Sequence, residues 1–236
     1  MLDRRLFLTG AAALSLPACS NDLLGPPEAG PIYPIRPSFT AASGLKVNWA
    51  LSIQRPDMPG GLDTDRIALL QANGTMDYYA NATYSDRLPA IIQRALVDGF
   101  YASGRTPAVA LEQEALHADY NLFVSVRDFQ ANYSVQDGVP EAAVVVDAKL
   151  TTAHGRKIIG NVTASRTVNA GVNSTAAATQ ALARALGQAV TDIVTWTLAT
   201  APAIVPGQSP ENSIGGQAEQ LLRDVTRGSE GLRIPK

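Results

Sequence analysis

Apolar and polar residues alternate with two different periods along the central part of the chain, and these periods predict its strands and helices. Alternation at every second residue, which sends neighbouring side chains to opposite faces of a strand, runs through residues 45–53, 119–133, 142–152 and 156–167. Apolar residues recur at helical spacing in residues 85–104 and 174–197. The chain therefore predicts strands, a helix, further strands and a second helix, in that order.

Residues 119–133 form the strongest predicted strand. Their pattern places Phe123 and Phe129 on one face and, on the other, Tyr120, Leu122, Val124 and Val126. Two hairpins are also predicted. The first joins residues 66–71 to 75–81 through Asn73-Gly74, a pair that tolerates the positive φ angles of a tight turn. The second joins residues 142–152 to 156–167 through residues 153–155.

The two helices have recognisable ends. The first is predicted to begin at Ser85 or Asp86, whose short polar side chain would cap free amide groups, and to end at Gly104. The second begins at about Ser174 and buries a stripe that consists of Leu182, Leu186, Ala189, Val190, Ile193 and Val194. A weaker helical pattern covers residues 108–116.

Runs of strands that alternate with single helices favour the α+β class. We expect an antiparallel β-sheet with two main helices packed on one face, flanked by irregular N- and C-terminal tails. The expected organisation is a signal peptide in residues 1–18, a lipidated cysteine with a proline-rich tether in 19–43, a folded domain in 44–200 and a flexible C-terminal tail in 201–236. Residues 213–226 of that tail have the pattern of a short helix.

The N-terminus has the three parts of a secretory signal, namely basic Arg4 and Arg5, an apolar run in residues 6–16 and small residues before a cleavage point. The apolar run is too short to span about 30 Å of hydrocarbon as a helix. Leu16-Pro17-Ala18-Cys19 resembles a lipobox. We therefore expect diacylglyceryl transfer to the thiol of Cys19, and acylation of its new amine by a fatty acid such as palmitate.

The route of export and the membrane that holds the anchor remain open from sequence alone. Arg4-Arg5 is followed by Phe7 and Leu8, so both the twin-arginine route and the Sec route fit. Ser20 after the cysteine favours the outer membrane. Prolines punctuate residues 20–43 and predict an extended, semi-stiff tether, along which Tyr33 and Ile35 can dock on the body.

Composition and motifs argue against nucleic acid, metal and catalysis. The formal net charge of −2 provides no basic stripe for nucleic acid. Acylation of the single cysteine leaves no thiol for a disulfide or a thiolate metal site. The two histidines, His117 and His154, lack partners at metal-binding spacing, and phosphate loops and nucleophile elbows are missing. We expect no cofactor and no enzyme activity. We interpret Glu112, Glu114 and Asp119 as carboxylates that are exposed to solvent.

Two local segments resemble the ABC-type transport auxiliary lipoprotein family, the PqiC/YmbA kind found beside MCE lipid-transport systems. In residues 81–89, Tyr84 precedes Pro89 at a helix start, where the family usually has Trp in place of the tyrosine. Residues 120–133 are similar to the family's strand that ends in Asp128-Phe129 and, four residues later, Tyr133. Within that strand, Arg127 or Asp128 is predicted to form a cross-strand ion pair, with partner binding as the alternative use.

The resemblance implies a non-enzymatic envelope lipoprotein on the periplasmic face of the outer membrane. Its implied partners are an MCE-domain protein, an ABC permease and an ATPase, which together move phospholipids or other hydrophobic molecules between the inner and outer membranes. A homo-oligomeric ring is implied for some members of the family. Two rival functions stay open, a periplasmic module that carries a hydrophobic ligand itself and a structural or assembly lipoprotein of the outer membrane. A closed apolar cavity would favour the carrier, and a solid core would favour the adaptor.

Overall fold

The computed structural model describes residues 30–40, 44–114, 117–133, 138–154 and 156–204. Its elements are, in chain order, β1 (Ile32–Tyr33), β2 (Ala50–Ile53), β3 (Arg66–Leu70), β4 (Met76–Tyr84), α1 (Leu88–Ser103), β5 (Ala108–Leu111), β6 (Tyr120–Asn132), β7 (Glu141–Thr152), β8 (Ile158–Asn169) and α2 (Thr175–Thr200). The predicted signal peptide, the lipobox with Cys19 and the helical pattern in residues 213–226 lie outside the described residues.

The long strand β6 organises the eight-stranded sheet of the described residues. It pairs antiparallel with β7 along its whole length, and β7 pairs antiparallel with β8. On its other edge, β6 pairs in parallel with two short strands, β2 near its start and β3 near its end. Between these two strands, the backbone of Asp57 forms an isolated bridge to Ser125 of β6. The outer strands are β5 beside β2, and β4 and β1 beside β3.

The expected α+β class is confirmed, although the sheet is mixed rather than purely antiparallel. The two predicted hairpins, β3–β4 and β7–β8, are antiparallel as expected. The parallel pairs arise where β2 and β3 align with a strand that lies far along the chain. Such pairs need crossover connections, whose partners local sequence patterns do not specify.

Both helices pack on the apolar face of the sheet and form one core with it. The predicted stripe of α2 is fully buried, and Ser174 caps that helix by accepting a hydrogen bond from the backbone N–H of Ala177. On the sheet side, the rings of Trp49 and Tyr120 meet edge to face with their centroids 5.5 Å apart. The core joins residues of both hairpins and both helices, so none of these elements is stable by its own contacts alone.

A β-bulge in β6 overturns the predicted position of Phe129. Val126 pairs with Val146 and Asp128 pairs with Val145, so two steps along β6 match one step along β7, and Arg127 is the extra residue. A one-residue insertion reverses the faces of all side chains that follow it. Phe129 therefore lies on the core face, fully buried, whereas simple alternation places it beside Phe123 on the other face.

Three further predictions differ from the structure. The helical pattern predicted over residues 108–116 gives a strand in 108–111, followed by one short 3-10 helix, Glu112–Glu114. A short apolar run fits either period, and pairing with β2 decides for the strand. The strand predicted from residue 45 begins only at Ala50, because the N–H of Val47 bonds to the carbonyl of Arg105 in a loop. α1 begins after Arg87 without a side-chain cap, so neither Ser85 nor Asp86 caps it.

Residues 30–40, which we name the arm, belong to the folded body although they fall in the predicted tether. Tyr33 and Ile35 pack on the core as expected. The arm continues between the two helices, where the N–H of Thr40 bonds to Oγ1 of Thr191 in α2. Gly187 makes this path available, because a Cβ at that position would lie 2.3 Å from the carbonyl oxygen of Ser38.

Replacement of Gly187 by alanine should therefore displace the arm. Overpacking of this kind costs about 1–3 kcal/mol, which outweighs the roughly 1 kcal/mol that alanine gains over glycine inside a helix. We expect a lower urea midpoint and faster amide exchange in residues 30–40. Gly60→Ala is the matched control, because a Cβ at residue 60 meets no atom within 4 Å. Equal stability of the two variants would contradict the close approach of the arm to α2.

Candidate partner-binding site

The residues that carry the family signature divide between the core and the surface. Tyr84, at the end of β4, packs its ring against Phe129 of β6 with the centroids 6.1 Å apart. Pro89 lies buried in the first turn of α1, where its missing N–H would have no helical acceptor. Residues 81–89 and residues 120–133, which carry the family resemblance, therefore meet in space. Tyr84, Pro89 and Phe129 pack between β4, α1 and β6 rather than facing solvent.

The hydroxyl of Tyr84 has an unusual environment. It is buried and has no hydrogen-bond partner among the described residues. Burial raises the pKa of Tyr84 well above its usual range, because the phenolate would be desolvated there.

Arg127 lies on the opposite face of the sheet from the helices and forms the predicted cross-strand ion pair. Its guanidinium binds Asp147 of β7 through two contacts, Nε to Oδ2 at 2.8 Å and Nη2 to Oδ1 at 3.0 Å. Thr163 of β8 donates its hydroxyl proton to the same carboxylate. The network ties three strands together on an exposed face, so it contributes at most about 1 kcal/mol. Asp128, half-buried beside the bulge, is not part of this ion pair.

Tyr133 closes a small polar cluster at the end of β6. Its hydroxyl donates to Oδ1 of Asn173 at 2.9 Å and lies 2.9 Å from the hydroxyl of Tyr79. Because Tyr133 has one proton to give, Tyr79 is then the donor between the two phenols. Burial, followed by the hydrogen bond to Tyr133, raises the pKa of Tyr79 above its usual range. Sequence patterns missed Tyr79 and Asn173, since neither lies near Tyr133 along the chain.

The three carboxylates interpreted as solvated also accept hydrogen bonds from backbone amides. Glu112 accepts from the N–H of Arg55, Glu114 from that of Leu111 and Asp119 from that of Ala50. Within the described ranges, no group of His, Cys, Asp and Glu residues is arranged to hold a metal ion. Neither described helix combines the length and the apolar character that a membrane span needs.

Two depressions of the described surface are open to solvent. One lies between the arm and α1 and has both apolar and charged walls, among them Ile35, Arg94 and Asp98. Another lies on the exposed face of the sheet around Phe123, flanked by Arg55 and Lys149. Neither is an enclosed apolar chamber of the kind that surrounds most of a small ligand. Both are open surfaces that a partner could contact.

Two tyrosine hydroxyls with opposite environments allow a matched test of this packing. Tyr84→Phe should raise the free energy of unfolding by about 1 kcal/mol, because it removes a buried hydroxyl without a partner. Tyr79→Phe should lower that free energy by about 0.5–1.5 kcal/mol, because it removes a hydrogen bond. Urea unfolding of both variants and the wild type measures the two changes. Destabilisation by Tyr84→Phe equal to that by Tyr79→Phe would contradict the unpartnered hydroxyl.

Solved structures share this fold. Protein XCC0632 from Xanthomonas campestris is 27% identical, with a TM-score of 0.68, and the match covers 72% of this chain and 96% of that chain. An uncharacterized protein is similar in fold at 15% identity and a TM-score of 0.52, covering 67% of this chain and 96% of its own. No curated protein matches the chain.

The family model of the ABC-type transport auxiliary lipoprotein component matches residues 34–194. The match extends from within the arm to the last turns of α2 and thus includes every element from β2 to β8. It covers more than half of the chain, and the signature residues of both named segments lie inside it. The chain therefore belongs to the ABC-type transport auxiliary lipoprotein family.

Proposed function

We propose that this protein is a non-enzymatic envelope lipoprotein that serves as the auxiliary component of an MCE-type ABC transporter. The observation that carries the proposal is the family match over residues 34–194. In this role the body docks an MCE-domain protein, and through it the permease and ATPase, while they move phospholipids or other hydrophobic molecules between the inner and outer membranes. The open form of the depressions around Ile35 and around Phe123 supports docking over carriage of a ligand.

The anchor and its reach form the second part of the proposal. Acyl chains on Cys19 hold the protein in a membrane, for which we propose the periplasmic face of the outer membrane. Ten residues separate Cys19 from Gly30, the first residue of the arm. Ten residues span at most about 35 Å when fully extended. A tether of this length raises the effective concentration of the body near a membrane-bound partner without any added contact.

The sheet also offers a seam for the homo-oligomeric ring that the family resemblance implies. β8 pairs with β7 on one side only, so its other edge is free over twelve residues among the described strands. A long edge strand without proline is a template for pairing with another chain. We include a ring in the proposed function as an arrangement of bodies that would present several docking surfaces together.

Co-purification tests the proposal. We expect the full-length lipoprotein, extracted from membranes in mild detergent, to elute with a tagged MCE-domain protein of the same transporter. The matched variant is Cys19→Ser, which should lose palmitate labelling and leave the membrane fraction but keep its affinity for the partner in detergent, because the body is unchanged. In membranes, the same variant should capture far less partner, because the effective concentration is lost.

The opposite results would separate the rival functions. Failure of the wild type to elute with any transporter subunit, together with phospholipid bound to the purified protein in mass spectrometry, would contradict the adaptor and support the carrier. Palmitate labelling that persists in Cys19→Ser would contradict the anchor at Cys19.

A further inference from the structure

Basic and apolar side chains gather at one end of the sheet, the end where β6 and β8 begin. We name this the basic end and define it by Leu45, Lys46, Arg105, Arg156, Lys157 and Ile158. Backbone contacts place its members together.

The loop before β2 meets the loop after α1, where the N–H of Val47 donates to the carbonyl of Arg105. The β7–β8 turn meets the start of β6, where the N–H of Ala153 donates to the carbonyl of Asp119. Asp119 in turn bonds to Ala50 at the start of β2, so the two loops flank the same strand ends.

Three cations of this end, Lys46, Arg156 and Lys157, form no ion pair with a described residue. In the part of the chain that the structure describes, the ion pairs join arginines elsewhere to Asp63, Asp147 and Asp192, and none involves Lys46, Arg156 or Lys157. All three of these side chains are exposed. The carboxylate of Asp119 lies at the same end, but it accepts a hydrogen bond from the backbone of Ala50.

Two large apolar side chains are exposed beside these cations. Leu45 is 87% exposed and Ile158 is 61% exposed. A single exposed apolar residue needs no explanation, but two apolar residues beside Lys46, Arg156 and Lys157 at one end indicate an interaction surface. The surrounding cations select a surface of negative charge.

The chain path separates the basic end from the anchor. The arm begins at Gly30 and passes Thr179 near the start of α2, where Tyr33 shares a depression with it. α2 then runs to Thr200, about 31 Å beyond Thr179 at 1.5 Å per residue. Past the helix, Ile204 is held at the basic end by two hydrogen bonds to the side chain of Asn48.

We propose that the basic end binds an acidic, partly apolar protein surface on the transporter partner. This inference rests on the proposed function. Ten residues separate Cys19 from Gly30 and reach at most about 35 Å, so contact of the basic end, about 31 Å farther along the body, with the anchoring membrane would need this segment to be almost fully extended. A protein partner therefore fits this end better than the lipid surface that holds Cys19, although anionic lipid would share its charge preference.

Charge reversal with a matched control tests the inference. The basic-end variant is Lys46→Glu with Arg156→Glu and Lys157→Glu, and the control is Arg36→Glu with Arg66→Glu and Arg184→Glu. All six residues are exposed, and both variants change the net charge equally. Binding of each full-length protein in detergent to the MCE-domain protein of the same transporter is measured at low and high salt.

We expect the basic-end variant to lose about 10-fold or more in affinity and most of its salt dependence, with less than about 3-fold loss in the control. Equal weakening of both variants, or unchanged binding by the basic-end variant, would overturn the inference while the proposed function stands. If the wild type binds no transporter subunit, the proposed function fails and this inference fails with it.

Site-specific photocrosslinking in cells identifies what covers the basic end. Benzoylphenylalanine at residue 45 should form an adduct with the transporter partner. The same group in place of Val172, which is 60% exposed near the start of α2, should not. Adducts from residue 172 alone would overturn the inference. Adducts from residue 45 to phospholipid, or to residues 205–236 of the same chain, would also overturn it, in favour of a membrane or of the chain's own C-terminus.

Discussion

The backbone of Ser38 lies so close to Gly187 that no side chain fits between them, and the path of the arm over the helices depends on this contact. Phe39, the next residue, reaches the neighbourhood of Gly99 in α1. Because the arm is held in this way, residues 30–40 belong to the folded body. The first residue of the arm, Gly30, lies against the backbone of Asn81 in β4.

Local chemistry accounts for the parts of the fold that sequence patterns predict well. The β3–β4 hairpin depends on Asn73-Gly74, and α2 depends on a serine cap and a continuous apolar stripe, so neighbours along the chain determine both. The bulge at Arg127 could not be predicted in this way. Its position is set by the register between β6 and β7, and a single extra residue moves Phe129 from one face to the other.

On the candidate surfaces too, features that depend on neighbours along the chain can be predicted from the sequence, and features that depend on distant residues cannot. The charged residues Arg127 and Asp128 inside a strand predict an ion pair across the strands. The partner in that ion pair, Asp147, could not be predicted from the sequence. The basic end could not be seen in the sequence, because its cations come from three separate loops and the overall charge is −2. Residues of the family signature, by contrast, prove to be mainly structural. Tyr84, Pro89 and Phe129 are buried and hold elements together, so they identify the family without identifying its contact surface.

The central claim, that the docked arm gives the body one end near the anchor and one end away from it, can be measured by energy transfer to labelled lipid. The proposed acylation occupies Cys19, so a cysteine introduced at Val172 or at Ile158 would be the only free thiol, and the two positions are similarly exposed. Each variant is reconstituted as the full lipoprotein in vesicles that contain acceptor lipid. We expect more efficient transfer from a donor at residue 172 than from one at residue 158. Equal transfer, or more efficient transfer from residue 158, would contradict the account.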